Sequence, residues 1–444
     1  MTISHGPRAR VSVSKRSTRL PSIRDRISAR RHLHEQMSRA LLSGFDPLRA
    51  SQAELYALGF PRRPSRGTKK WRQWCQMFGT GRRFVPSRLD LEPASGPLGT
   101  RSAGRNTQIW SGAESINVAE FGEAITALSP INWVSAVWTI PYFVVPLWYL
   151  SGNLGNVYCD GCSTWGCATW VGLDGTFQAA QVGASLGLDG YEFDTASNSY
   201  AAALLQAGIW AELNPESSLG VFSGADVTIY PFVEWLPAGG YDVAEYPFGG
   251  AWEAGFPSQV DLTVAIGDTV HVFIEAFQTE VGPEGVVASI APMTQCWLYI
   301  ANLTQNTYTA YPLNGGGTQV CIGASAEWIL EQQTVARGIL PLGRYGTVYF
   351  VDADCGSEPI PYVGAYGVPS EPPVKFTPIL PEGPITPSIP VAMRSLPPDW
   401  IAPPETRIIS AGNICGSNLI ECLYADPMDF ELSGYSVLNP PLLL

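Results

Sequence analysis

The chain has 444 residues, 45% hydrophobic and 15% charged, a composition that excludes broad disorder and leaves room for one large core or two domains. Its 45 Gly and 37 Pro favour many short strands joined by turns over long helices. Charge divides it in two: the first 106 residues carry 22 Lys and Arg against 6 Asp and Glu, a net +16, and the rest carry 5 against 33, a net −28. A basic arm of this kind suits nucleic acid or an anionic membrane, but the nearest counter-charge is the acidic remainder of the same chain, and docking there in cis is the preferred reading. Neither nucleic acid nor membrane is expected as a partner. Carboxylates crowded among themselves have raised pKa values, so they favour the fold below those values and lose that contribution as pH rises through them. The expected working environment is acid.

The N-terminus is polar and basic and lacks the apolar stretch of an ordinary signal peptide. Residues 22–44 carry apolar positions at helical spacing among arginines, and Ser51-Gln-Ala-Glu54 is a capping box that starts a short helix stopped at Gly59 and Pro61. A third helix is expected over residues 69–78, with Trp71, Trp74 and Phe78 on one face. Residues 82–106, rich in Gly, Pro, Arg and Ser, read as a cleavable linker. The apolar run 131–150 imitates a membrane span, but Pro141 and Pro146 interrupt it, and two buried strands with a bend fit better. From Trp110 onward strand and turn patterns dominate. Residues 261–277 give two alternating runs split by Gly267-Asp268, a hairpin signal. Residues 296–304, 307–312, 327–332 and 346–352 are further short strands. Residues 359–404 contain 14 prolines and are expected to form an extended surface insertion. The divisions are therefore 1–106, a basic, partly helical proregion; 107–354, a strand-rich domain; 355–405, the proline-rich insertion; and 406–444, strands that complete the domain. The fold class is all-β, a two-sheet antiparallel sandwich.

Elimination narrows the chemistry. The acidic part has one histidine, His271, inside a strand-like run, so a Ser/His/Asp triad or a His-rich zinc site has little material. No Asp-Thr-Gly or Asp-Ser-Gly and no Walker-type loop is present. Cys159, Cys162 and Cys167 form one weak metal-knuckle pattern, for which local disulfides or free thiols are better readings. Eight cysteines in the acidic part allow up to four disulfides and fit an oxidising, extracellular compartment, in tension with the missing signal peptide. Asn302-Leu-Thr304 is a glycosylation sequence should the chain be exported. What remains is carboxylate with amide: Trp170-Val-Gly-Leu-Asp174-Gly175, then Gln181-Val-Gly183, Phe232-Val-Glu234-Trp235-Leu-Pro237 and Ala326-Glu327-Trp328-Ile-Leu-Glu331. Each alone reads as a strand with core tryptophans and solvent-facing carboxylates.

Together and in this order, these motifs resemble the eqolisin family of glutamic peptidases. The similarity extends to Trp110-Ser-Gly, Trp138-Thr-Ile-Pro141 and Gly267-Asp268, and upstream to residues 53–64 and 83–86, which look like the propeptides of long-form relatives. Val233 stands where the family has tyrosine, Gln178 competes with Gln181 for the amide position, and the stretch between Trp170 and Gln181 is short. The resemblance implies a concanavalin-like (lectin-like) jelly roll of about seven strands per sheet, and an endopeptidase acting at acid pH on extended protein or peptide substrates. It implies Glu234 and Gln181 as the catalytic pair. Glu234 takes a proton from water and returns it to the leaving amine, and the Gln181 amide donates to the oxyanion. Phe232 and Trp235 are expected to desolvate Glu234. Trp170, Asp174, Trp235 and Glu327 are expected to line the substrate cleft. No metal or organic cofactor is called for, and a monomer is expected, latent until its N-terminal arm is cut away. The rival reading is a non-catalytic or carbohydrate-binding sandwich.

Overall fold

The computed structural model describes residues 23–86, 110–116, 118–121, 124–127, 130–142, 165–175, 192–194, 199–201, 204–213, 227–236, 243–247, 262–277, 279–282, 285–288, 293–314, 320–331, 334–335, 338–339, 345, 347–356, 389–391, 394–395, 406–407, 409–411 and 420–423. Three helices open it: α1 (Ile23–Leu42), α2 (Gln52–Ala57) and α3 (Lys69–Phe78). The capping box at the start of α2 is formed in both directions: Ser51 accepts from the Glu54 N–H, and Glu54 accepts from the Ser51 N–H.

Fifteen strands build two sheets: β1 (Arg83–Phe84), β2 (Trp110–Ile116), β3 (Trp133–Thr139), β4 (Trp165–Leu173), β5 (Leu204–Leu213), β6 (Val227–Leu236), β7 (Val243–Pro247), β8 (Thr269–Phe277), β9 (Gln295–Asn302), β10 (Thr307–Asn314), β11 (Ser325–Glu331), β12 (Thr347–Gly356), β13 (Ile389–Val391), β14 (Ile409–Ala411) and β15 (Ile420–Leu423). One sheet has the order β1-β10-β9-β8-β3-β12-β15-β14 and the other β7-β6-β5-β4-β11-β2-β13. Among the described residues all pairings are antiparallel except β1 with β10. This is the all-β, two-sheet sandwich expected from the strand patterning, with short two-stranded ribbons beside it.

Alternation along each strand assigns the faces. Val134, Ala136 and Trp138 of β3, Val270, Val272 and Ile274 of β8, and Cys296, Leu298 and Ile300 of β9 meet Val171 and Leu173 of β4, Leu205 and Ala207 of β5, Val233 and Trp235 of β6, and Trp328 of β11 in one core between the sheets. The intervening residues face outward. On the eight-stranded sheet, Trp133, Phe273, Trp297, Tyr299 and Tyr308 meet Phe60, Trp74 and Met77 of the N-terminal arm in a second core. Two apolar layers therefore cover the eight-stranded sheet, one on each side.

Several expectations need revising. Residues 262–266 do not form the first strand of a hairpin. The Asp268 carboxylate accepts from the Ala265 N–H (3.0 Å), and Gly267 lies at φ +85°, so the chain turns at once into β8. Cys296 and Cys321 are free thiols in the inter-sheet core, where Cys167 and Cys355 also lie, and Cys75 is free as well; Cys159 and Cys162 lie outside the described residues. Asn302 is fully buried and donates to the Thr263 carbonyl (2.9 Å) and Asp268 (2.7 Å), so in the folded chain it cannot accept a glycan. Burial, with the Arg82 charge nearby, pulls the His271 pKa down to about 3, so the ring is neutral and bonded to Ser135 Oγ (3.0 Å). No helix among the described residues is long and apolar enough to cross a membrane, and residues 143–150 of the apolar run lie outside them.

Candidate active site

The outward face of the seven-stranded sheet carries one straight row of chemically unusual residues. Register places Glu234 of β6 opposite Gln206 of β5, Gln206 opposite Gly172 of β4, Gly172 opposite Glu327 of β11, and Glu327 opposite Glu114 of β2. Each flanking residue described, such as Val233, Trp235, Leu205, Ala207, Val171, Leu173, Ala326 and Trp328, points into the core. The period of two thus aligns the polar side chains of different strands on one face without any loop.

Gln206 Nε2 donates to a Glu234 carboxylate oxygen, and each residue is only 2% exposed. The amide nitrogen has a second hydrogen to offer. At the centre of the row a side chain has no room. A Cβ on Gly172 would sit 2.8 Å from the Trp170 ring, 3.2 Å from a Glu327 carboxylate oxygen and 3.2 Å from Leu204. A Cβ on Gly208 would come within 2.5 Å of Trp170. The two glycines leave the space that Trp170 fills, its ring against Gly172 and its Cβ against Gly208. Its Nε1 donates to Glu331 (2.8 Å), which fixes the ring.

Glu327 is fully buried and accepts from the Gly175 N–H (3.2 Å). Burial pushes its carboxyl well above the usual range, and the neighbouring Asp174 and Glu114 charges push the same way. Asp174 sits at the end of β4 in the left-handed region (φ 64°) and is also fully buried. Its carboxylate accepts from the N–H groups of Ile322, Gly323 (3.0 Å) and Ala324 (2.7 Å). Burial raises its pKa, and these hydrogen bonds oppose the rise. Asp174 thus anchors the turn that feeds β11 and so sets where Glu327 stands.

The expected site residues are divided by this geometry. Glu234, Trp170 and Glu327 share the outward face of one sheet. Asp174 lies at its end as an anchor, its carboxylate taken up by backbone N–H groups. Trp235, expected in the cleft, points the other way into the inter-sheet core, because it follows Glu234 by one residue in a strand. Of the aromatic residues near Glu234, Phe232 shares its face, edge-on to Trp210 at 6.0 Å. Gln181 and Gln178 lie outside the described residues. The amide that meets Glu234 is Gln206, which the sequence reading missed. Gln206-Ala-Gly208 repeats the Gln-x-Gly pattern of 181–183, and it sits in a largely apolar run, 204–213, that is a strand immediately before that of Glu234. Among the described residues no group of three or more His, Cys, Asp and Glu is arranged to hold a metal ion.

Residues 109–365 match the model of the peptidase A4 family. No curated protein matches the chain. Among solved structures, scytalido-glutamic peptidase with a transition state analog inhibitor is similar at 15% identity over 72% of this chain and 98% of that one, with a TM-score of 0.36. Aspergilloglutamic peptidase from Aspergillus niger is similar at 15% identity over 59% and 99%, with a TM-score of 0.28. SCP-B, an eqolisin-family peptidase in complex with the tripeptide Ala-Ile-His, is similar at 14% identity over 72% and 98%, with a TM-score of 0.31.

Proposed function

This chain belongs to the peptidase A4 family, and from that premise we propose that it hydrolyses peptide bonds at acid pH with Glu234 and Gln206 as its working pair. One observation carries the assignment. Gln206 donates to Glu234 from the adjacent strand, both side chains buried on the same outward face beside Trp170. The Glu234 carboxylate takes a proton from a water, which attacks the scissile carbonyl, and it returns the proton to the amine that leaves. The Gln206 amide stays neutral throughout. One of its N–H bonds orients the carboxylate and the other serves the oxyanion of the tetrahedral intermediate. Gln206 takes the role that the resemblance had placed on Gln181.

Acid operation is supported by the carboxyls around the pair. Asp174 and Glu327 have raised pKa values and are neutral, and least costly to bury, at low pH. Peptide substrates follow from the family. The basic arm docks in cis on the acidic sandwich, and the place of action is an acid medium outside the cell.

The test is casein hydrolysis at pH 3–4 with pepstatin present, comparing wild type with Glu234→Gln, Gln206→Ala and Gln181→Ala. Glu234→Gln should abolish activity. Loss of the oxyanion donor in Gln206→Ala should lower kcat by about 10²–10³. Gln181→Ala should stay within a few fold of wild type. Full activity in Gln206→Ala with loss in Gln181→Ala would overturn the pairing and restore Gln181.

A further inference from the structure

The charge asymmetry leads one to expect a basic arm held electrostatically and shed in acid. Its packing has a different character. Trp74 of α3 lies 6.5 Å from the Trp297 ring, Phe60 lies 5.4 Å from the same ring, and Phe78 lies 6.1 Å from Tyr299. Met37, Leu55, Phe60, Trp74 and Met77 are each fully buried. Polar contacts within this layer are equally enclosed. Lys70 pairs with Glu275 at side-chain exposures of 1% and 2%, and Ser135 Oγ donates to Gln73 (3.3 Å). Lys69 of the arm also pairs with Asp354 of the sheet (3.1 Å). Beyond α3 the arm becomes part of the sheet. β1 runs parallel to the edge strand β10, with Arg83 N–H donating to the Asn306 carbonyl (3.1 Å) and Val85 N–H to that of Tyr308 (2.8 Å).

Removing the arm would uncover Trp133, Phe273, Trp297, Tyr299 and Tyr308 together on one sheet face, a contiguous apolar patch that soluble proteins seldom expose. It would also strip the counter-charge from Glu275. These contacts lie on the outward face of the eight-stranded sheet, whereas Glu234 and Gln206 lie on the outward face of the seven-stranded sheet, on the far side of the inter-sheet core.

We propose that residues 32–86 are a retained structural layer of the enzyme. They stay docked on the eight-stranded sheet after the chain is cut between residues 87 and 109, and they act on the side of the sandwich away from the Glu234–Gln206 row. The docking stands on packing alone; only its consequence for catalysis rests on the peptidase reading.

The experiment uses the full-length protein with a site-specific protease sequence inserted after Ser95. The cut protein is run on size exclusion at pH 7, at pH 7 with 1 M NaCl, and at pH 4, with near-ultraviolet circular dichroism on each peak. A run in guanidinium establishes that the two pieces separate when unfolded. Both pieces should elute together at the volume of the uncut protein in all three native buffers, because an apolar contact with enclosed ion pairs is insensitive to screening. Separation in any of them, with the larger piece still folded, overturns the proposal, and separation at pH 4 alone would make the arm an acid-released propeptide. Casein hydrolysis by the two-piece peak supports an arm that does not block the site. Activity gained only after the arm is removed overturns that part. Co-elution without activity in any fraction counts against the peptidase reading and leaves the docking in force.

Discussion

Glu327 and Glu114 stand directly opposite each other on β11 and β2, two buried carboxyls in one cross-strand pair. Burial disfavours the Glu327 charge, and the Asp174 and Glu114 charges repel it further. The Glu327 pKa is accordingly raised. The sign of the linkage follows. A carboxyl whose folded pKa lies above its unfolded value stabilises the fold below the unfolded value, and that contribution is lost as pH rises toward the folded one. Asp174, Asp354 and Glu212 are shifted in the same direction. Thermal unfolding followed by circular dichroism should therefore show a higher Tm at pH 4 than at pH 7. Glu327→Gln, which keeps the shape without the charge, should raise the Tm at pH 7 by about 2–4 °C per kcal/mol recovered and leave it nearly unchanged at pH 4. A Tm that rises steadily from pH 4 to pH 7 in the wild type would rule out this account.

Gly172 is the one position of the row where a methyl group would meet the Trp170 ring and the Glu327 carboxyl at once. Neither neighbour can withdraw easily, since Trp170 is tied to Glu331 and Glu327 to the Gly175 N–H. Gly172→Ala should cost about 1–3 kcal/mol in urea unfolding, as overpacking does. Because the displaced ring lies beside Gln206, kcat should fall more than KM rises. A variant with wild-type stability and activity would mean that the row is looser than its distances indicate.

Asp174 gives three backbone N–H groups their acceptor. Asp174→Ala removes all three bonds and leaves buried donors behind, at about 1–3 kcal/mol for each unsatisfied group. The expected result is a loss of several kcal/mol and disorder of residues 320–324, read as rapid hydrogen exchange of those amides. Asp174→Asn, which keeps one acceptor oxygen, should lose less than half as much. Equal losses in the two variants would show that the carboxylate's charge matters more than its geometry.

The fold class was legible because alternation in strands such as 269–277 and 295–302 needs no tertiary information, and the capping box of α2 is local. Glu234 and Glu327 were legible from the words around them. Gln206 was not. The sequence offers two Gln-x-Gly patterns, and it takes strand pairing to set Gln206 opposite Glu234. Trp235 failed for the opposite reason: adjacency in sequence suggests proximity, whereas in a strand the next residue lies on the other face. Net charge suggested an electrostatic contact between arm and sandwich, whereas the packing between them is mostly aromatic and aliphatic. Charge counts report long-range attraction and say nothing of which apolar face a helix such as α3 will cover.

Lys70 and Glu275 give the last prediction. With exposures of 1% and 2%, this ion pair has no water to take over from a missing partner. Removing one partner of such a pair costs about 3–5 kcal/mol, because a buried charge is left behind, whereas replacing both by apolar residues of similar volume is often neutral. Lys70→Met alone should therefore destabilise the full-length protein by about that amount in urea unfolding. Adding Glu275→Leu to Lys70→Met should recover most of the loss. If the arm contributed nothing to the folded body, neither change would move the main unfolding transition, and the loss would appear only as an early, separate step for α1 to α3. A single cooperative transition that shifts with Lys70→Met and returns in the double variant would show that arm and sandwich unfold as one unit.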